Sequence, residues 1–303
     1  MKILVTGSNG LLGQKLLAAL RNDPDVELIA TSRGDDRTPA TDGYRYISLD
    51  CTDEPTVQRV FDELRPEAVI HTAAMTNVDA CELDPTSCHL QNVVAVENLA
   101  VAAKRVGAHF THLSTDFIFD GENGPYAEED EPRPLSIYGQ SKLDAERVVM
   151  NAGLKKWAIA RTIIVYGFAK GLSRSNVVLW AKSALEKGQP INVVDDQWRM
   201  PTLAEDLADG CIRIAKKGAS GIFNLSGPDG MSILELVQRV GRFFDLDPSV
   251  ITPITSASLA QPAKRPPRTG FILDKARAQL GYAPRGFEEG LAVLRTQLQE
   301  ASH

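Results

Sequence analysis

The sequence predicts an α/β fold, a doubly wound parallel sheet with a smaller mixed α/β lobe at its carboxy-terminal end. Three observations predict it. Short β-rich runs alternate with helical patterns over the first half of the chain, the rhythm of a parallel sheet with helices on both faces. A glycine-spaced turn, Gly7-Ser8-Asn9-Gly10-Leu11-Leu12-Gly13, follows the first β-rich run and opens the first helix. Tyr138 and Lys142 stand four residues apart, so a helix there puts phenol and ammonium on one face.

Residues 2–6 and 26–31 read as the first two strands, separated by a helical stretch at 11–21. Strands at 44–49 and 68–71 follow, with a helix over about 53–64 between them. A long helix is expected over about 85–106, then a fifth strand at 109–114, the helix carrying Tyr138, and a sixth strand at 157–162. Right-handed crossovers make this a Rossmann-type sheet whose ligands bind at the carboxyl ends of the strands. From Tyr166 the rhythm changes. Thr202-Leu203-Ala204-Glu205 and Ser232-Ile233-Leu234-Glu235 read as capping boxes, each opening an amphipathic helix, with a short strand at 221–225 between them. Residues 261–270, rich in proline and arginine, read as an ordered loop before the closing helices. The expected domains are an NAD(P)-binding Rossmann domain at 1–165, to which 203–225 returns, and a substrate-binding lobe at 166–303.

Composition narrows the class. The 303 residues suffice for one large α/β domain with an appended lobe, and 43% hydrophobic with 24% charged residues is a globular profile. A formal charge of −6 excludes a general nucleic-acid binder, which needs a concentrated basic surface. No apolar run approaches the ~20 residues of a membrane span. Met1 leads straight into a strand without an apolar leader, so a cytoplasmic protein without membrane contact is expected. Cys51, Cys81, Cys88 and Cys211 lack C-x-x-C spacing and read as reduced thiols.

The glycine turn carries the first chemistry. One glycine permits the tight turn, one lets backbone approach a pyrophosphate, and one allows close helix–strand packing. The helix amino terminus adds free N–H groups and a positive dipole end. Gly7, Asn9, Gly10, Leu11, Leu12 and Gly13 are therefore expected to hold a dinucleotide. The second strand ends Thr31-Ser32-Arg33-Gly34, with no acid to grip a ribose 2′-hydroxyl. Ser32 and Arg33 can instead pair with a 2′-phosphate, which favours NADPH and leaves NADH open. Asp35 and Asp36 stand close enough to blunt that preference, and a solvated Arg33 is the competing reading. Asp50 and Cys51 would flank an adenine, and Ala73-Ala74-Met75 would let the dinucleotide pass closely. A free tyrosine has a pKa near ~10, and a lysine cation beside Tyr138 would lower it for proton exchange with a substrate oxygen.

With this turn, Ser114-Thr115-Asp116 and Tyr138/Lys142 in order, the chain resembles the extended short-chain dehydrogenase/reductase superfamily over essentially its whole length. Within it the chain is most similar to the dTDP-4-dehydrorhamnose reductase family of dTDP-L-rhamnose synthesis. The strings 73–79, 114–121 and 138–143 carry that closer likeness, with Arg161-Thr162, Tyr166-Gly167, Asp196-Gln197-Trp198 and Pro201-Thr202. The resemblance implies that Thr115 polarises a substrate carbonyl and Tyr138 donates the proton at C4. It implies that Lys142 lowers the Tyr138 pKa and binds nicotinamide ribose, Asp116 touches substrate, and Asn92 supports the relay. Ile164 stands where that family has a substrate-contacting tryptophan. Phe117 stands where 4,6-dehydratases have a second carboxylate, which argues against dehydration. An NAD-dependent nucleotide-sugar 4-epimerase and a non-catalytic regulatory subunit, like that of methionine adenosyltransferase, are the alternatives.

The remaining signals are weaker. Asp120, Glu122, Glu128, Glu129, Asp130 and Glu131 read as a solvated acidic loop. His71, His89, His109 and His112 lack ligand-like spacing, so no metal site is assigned. The resemblance leaves room for Mg²⁺ and a homodimer, and no residues fix either. Arg174, Arg199, Arg265 and Arg268 are candidate grips for a substrate diphosphate.

Overall fold

The structure is a computed structural model that describes residues 1–38, 42–172 and 175–301. Its first half runs β1 (Lys2–Thr6), α1 (Leu11–Leu20), β2 (Glu27–Ser32), β3 (Arg45–Ser48), α2 (Glu54–Leu64), β4 (Ala68–His71), α3 (Val78–Leu83), α4 (Pro85–His89), α5 (Ala95–Val106), β5 (His109–Thr115), α6 (Ile137–Asn151) and β6 (Trp157–Thr162). There follow β7 (Val165–Tyr166), α7 (Val177–Glu186), β8 (Ile191–Val194), β9 (Trp198–Arg199), β10 (Thr202–Leu203), α8 (Ala204–Lys217), β11 (Gly221–Asn224), β12 (Met231–Ser232), α9 (Ile233–Phe243), β13 (Ile251–Ile254) and α10 (Phe287–Ala301).

Seven strands form one parallel sheet in the order β11-β6-β5-β4-β1-β2-β3. The order reverses between β1 and β4, and the crevice at such a reversal is where doubly wound sheets bind ligands. β4 and β5 are buried along their whole length, as strands covered on both faces must be. One face packs Leu16 and Leu20 of α1 with Leu207 and Cys211 of α8. The other packs Phe61 of α2, Leu99 of α5 and Val149 of α6. Each such side chain contributes about 1.5–3 kcal/mol of burial. Thus α8 packs on the main sheet and β11 pairs into it. A separate core of Tyr166, Val178, Leu236 and Leu291 holds α7, α9 and α10 together.

Three expectations change in detail. The helix expected over 85–106 is interrupted by a π-helical turn at Leu90–Val94, which carries Asn92. The capping box at Thr202 does not form. Thr202 belongs to β10, its hydroxyl donates to the Ile163 carbonyl at 2.7 Å, and α8 starts after Leu203 with no side-chain cap. Glu205 instead pairs with Lys15 of α1 at 2.8 Å. At the second box Ser232 does cap α9, accepting from the Glu235 N–H at 3.0 Å, but the Glu235 carboxylate turns to Arg239. Among the described residues no helix is long and apolar enough to cross a membrane.

Candidate active site

The glycine turn joins β1 to α1 at the carboxyl end of the sheet. Gly7 has φ +69°, and a Cβ there would lie 2.7 Å from the Ala73 nitrogen, so the turn and the chain leaving β4 touch backbone to backbone. A Cβ on Gly13 would lie 2.3 Å from the Gly7 carbonyl oxygen. Gly10 precedes α1 with no side-chain cap, which leaves the first-turn N–H groups of Leu11 and Leu12 free for a ligand. Ser8 Oγ is buried with no hydrogen-bond partner among the described residues. Glycine backbone, an uncapped helix end and an unpaired hydroxyl fit a dinucleotide pyrophosphate. The Asn9 amide is spent on its own surroundings. It donates to the Asp35 carbonyl at 2.9 Å and accepts from the Arg37 N–H at 2.8 Å, fixing the loop after β2.

Ser32 ends β2, and Arg33 lies exposed beyond it, donating to Gln91 Oε1 at 3.2 Å. Asp36 accepts from the hydroxyls of Thr38 and Tyr44, so its charge is engaged away from Arg33. Asp50 accepts from Thr52 as the chain turns into α2. Cys51 is buried, and burial pushes its thiol up to about 12. The segment through Ala73, Ala74 and Met75 is clamped by Asn92. Its Oδ1 accepts from the Met75 N–H at 2.7 Å and its Nδ2 donates to the Met75 carbonyl at 3.0 Å.

Ser136 caps α6, accepting from the Gly139 N–H at 3.2 Å. A Cβ on Gly139 would lie 2.2 Å from the Phe117 carbonyl, so only glycine lets α6 press on the turn after β5. That contact brings Tyr138 against Thr115. Tyr138 is buried, edge-on to Phe117 at 5.7 Å, with the Thr115 hydroxyl close enough to influence its phenol. Burial pushes its phenol above the usual range, the Thr115 hydroxyl pulls the other way, and the nearby Asp116 carboxylate raises it again. Lys142 is buried one turn along, and burial lowers its ammonium to about 8. The expectation that Lys142 lowers the Tyr138 pKa is corrected here. Lys142 Nζ donates to His112 Nε2 at 3.2 Å, and burial rather than the ammonium governs the phenol.

Asp116 is buried, and burial raises its carboxyl, opposed by Arg199 and by hydrogen bonds from Thr269 and Thr115. Arg199 is also buried, 3.7 Å from Asp116 and donating to the Pro266 carbonyl at 2.8 Å. It is therefore an internal strut and not a free grip for diphosphate. Arg265 is held by Asp79 at 2.7 Å, while Arg268 lies exposed over the Trp198 ring at 5.5 Å. Arg174 lies outside the described residues. Ile164 has φ +32°, a strained conformation for a β-branched residue, and packs beside Ile163 and Met200.

The acidic loop is not simply solvated. Glu128 is buried and accepts from the Asn224 N–H at 3.0 Å, and Asp120 accepts from the Tyr126 hydroxyl at 2.8 Å. Among the described residues no group of three or more His, Cys, Asp or Glu side chains is placed to hold a metal ion. His71, His109 and His112 are core residues and His89 is exposed. Sequence reasoning gave Ser141 no role and took His112 only as a histidine without ligand-like spacing. The Ser141 hydroxyl accepts from Asn92 Nδ2 at 3.0 Å, tying α6 to the π turn. Both lay in strings already singled out, but only their burial together reveals them.

The RmlD substrate binding domain family matches residues 1–300. The chain is 33% identical over 262 residues to methionine adenosyltransferase 2 subunit beta of Xenopus laevis, covering 84% of this chain and 75% of that one. It is 34% identical over 288 residues to a Streptomyces antibioticus protein named as a probable dTDP-4,6-dihydroxy-2-methyloxan-3-one 4-ketoreductase, covering 94% and 90%. The crystal structure of dTDP-4-dehydrorhamnose reductase from Bacillus anthracis in complex with NADP superposes with a TM-score of 0.85 at 28% identity, covering 98% of this chain and 99% of that one.

Proposed function

The chain belongs to the RmlD substrate binding domain family, and from that premise we propose that it is an NADPH-dependent sugar-nucleotide reductase acting on the C4 ketone of a dTDP-4-dehydro-6-deoxyhexose. The observation that carries the reading is buried Thr115 and Tyr138 at the same carboxyl end of the sheet as the glycine turn, with Lys142 one turn along. The Streptomyces relative is named a 4-ketoreductase of a dTDP sugar, and the Bacillus anthracis structure holds NADP.

Bound NADPH supplies the hydride to C4. The Thr115 hydroxyl hydrogen-bonds the carbonyl oxygen, and Tyr138 passes its proton to that oxygen as negative charge builds there. A phenol at its ordinary pKa near ~10 is already protonated at neutral pH, and burial holds this one higher, so it gives up its proton only as charge builds on the substrate oxygen. Lys142, one turn along the same helix face, is placed for the nicotinamide ribose hydroxyls. Gly7, Gly10 and Gly13 with Leu11 and Leu12 receive the pyrophosphate, and Ser32 and Arg33 receive the 2′-phosphate. Ala73, Ala74 and Met75 border the dinucleotide, Asp50 and Cys51 the adenine, and Asp116 and Ile164 the sugar.

The test is turnover of dTDP-4-dehydro-6-deoxy-L-mannose with NADPH, followed by loss of nicotinamide absorbance and appearance of dTDP-L-rhamnose. Turnover of a different keto sugar would keep the reductase and change its substrate. Inactivity towards every 4-keto nucleotide sugar would sink the reading. A second reading, a non-catalytic NADP-binding subunit, rests on the likeness to the methionine adenosyltransferase subunit. Stable co-purification with a synthetase together with reductase silence would favour it.

A further inference from the structure

Beneath Lys142 lies a buried group that none of the roles above uses. Lys142 Nζ donates to His112 Nε2 at 3.2 Å, and the His112 ring stacks on His71 of β4 with centroids 5.4 Å apart. His71 Nδ1 in turn shares a 2.7 Å hydrogen bond with the Thr6 hydroxyl at the end of β1. All four side chains are buried. The arrangement crosses three strands of the sheet and ends under the helix that carries Tyr138.

Both rings are neutral. Burial drives the His71 pKa down to about 3 and that of His112 well below its ordinary value, and the Lys142 charge pushes both the same way. A neutral imidazole has one acceptor nitrogen. Because Lys142 has only protons to give, the His112 acceptor is Nε2 and its proton sits on Nδ1, an atom with no partner among the described residues. Stacking on His71 fixes the ring plane without competing for that nitrogen. From these contacts we infer that His112 is a positioning residue for Lys142, an acceptor that holds the ammonium at a fixed place on the Tyr138 face of α6.

The inference rests on the reductase reading for its kinetic consequence, not for its geometry. The charged or titratable groups facing Lys142 are few. Glu146 on α6 favours its charged form but is itself paired with Arg161 at 2.8 Å, and Cys88 on α4 acts in the same direction. His112 and His71 face it from the sheet. Loss of the His112 acceptor leaves the buried ammonium with less compensation for its lost water, so Lys142 releases its proton at lower pH.

The experiment compares wild type with His112→Phe, which keeps a ring on His71 but offers no acceptor, and His112→Gln, whose carboxamide oxygen can accept. Lys142 is titrated directly by NMR of carbon-13-labelled lysine, its signal assigned by Lys142→Met; this readout needs no sugar. In His112→Phe the titration should fall by about one to two pH units, the size of a hydrogen bond to a charged group. His112→Gln should recover most of that fall. The basic limb of kcat/KM should move in parallel, while activity on the acid side stays within several-fold of wild type. A Lys142 titration unchanged in folded His112→Phe overturns the inference. So does a loss that is equal in both variants and independent of pH, which is what a purely structural role would give. Failure to find any turnover would count against the reductase reading alone, since the lysine titration still decides the role of His112.

Discussion

Tyr138→Phe separates proton donation from everything else the ring does. The ring is edge-on to Phe117 at 5.7 Å and shares a buried cluster with Cys81 and Cys88, contacts that phenylalanine keeps. Only the hydroxyl is lost, with whatever it shares with the neighbouring Thr115 hydroxyl. Thr115 Oγ1 is not orphaned by that loss, because it also donates to Asp116 Oδ1 at 3.1 Å. Stability should therefore change by no more than about 1 kcal/mol, the net worth of one hydrogen bond. Turnover should fall about 10²–10⁴-fold, the usual contribution of a general acid, or roughly 3–5 kcal/mol of barrier. The assay is kcat at saturating NADPH by nicotinamide absorbance, with the NADPH affinity and urea midpoint of the same preparation as controls. A variant that turns over at near wild-type rate refutes Tyr138 as the donor. A variant that loses NADPH affinity and midpoint together would show that the hydroxyl holds the fold, contrary to the packing described.

Three other perturbations probe the surrounding structure. Gly13→Ala places a methyl 2.3 Å from the main-chain oxygen of Gly7, which cannot swing aside. It should cost about 1–3 kcal/mol in urea unfolding and abolish the thermal shift with NADPH, and a stable, NADPH-binding variant would contradict the close packing. Arg33→Ala removes an exposed guanidinium and should weaken NADPH by about tenfold while leaving NADH unchanged, a difference isothermal titration reads directly. Equal effects on the two cofactors would remove Arg33 from the 2′-phosphate. Glu146→Gln leaves Arg161 buried without its counter-ion, although Arg161 still donates to the Glu128 carbonyl and lies over the Phe119 ring. It should lower unfolding free energy by about 3–5 kcal/mol, and a loss below about 1 kcal/mol would mean water reaches the pair.

The sheet was legible because its central strands are buried on both faces and so read as apolar runs bounded by turns. Gly7, Gly10 and Gly13 were legible because the spacing itself states a backbone need, and the structure shows the close approaches behind it. The second half was harder. β7, β9, β10 and β12 have two residues each, too few to show an alternation. Thr202 misled for a related reason: a threonine three places before glutamate is a capping box only if its hydroxyl is free, and this one bonds the Ile163 carbonyl across the chain. The same limit applies to charge. Arg199 and Glu128 look like surface residues in a one-dimensional string. Their burial depends on Asp116 and Asn224, partners 83 and 96 positions away, which no local pattern exposes.

Phe117 shows why the site, and not the fold, must decide the chemistry. A chain named as a methionine adenosyltransferase subunit and one named as a probable ketoreductase both resemble this one at about one-third identity, so the shared architecture cannot separate them. In the sequence Phe117 mattered only as a missing carboxylate. In the structure it is an apolar wall, packed edge-on against Tyr138 with the Arg199 guanidinium 5.7 Å above its ring. Its ring lines one side of the buried phenol. A carboxylate in its place would put a second negative charge beside Asp116 and favour a different proton inventory altogether. Under the proposed reduction, the residue that stands in place of the second carboxylate is thus also the one packed against the donor phenol, so one position would bear on both chemistries.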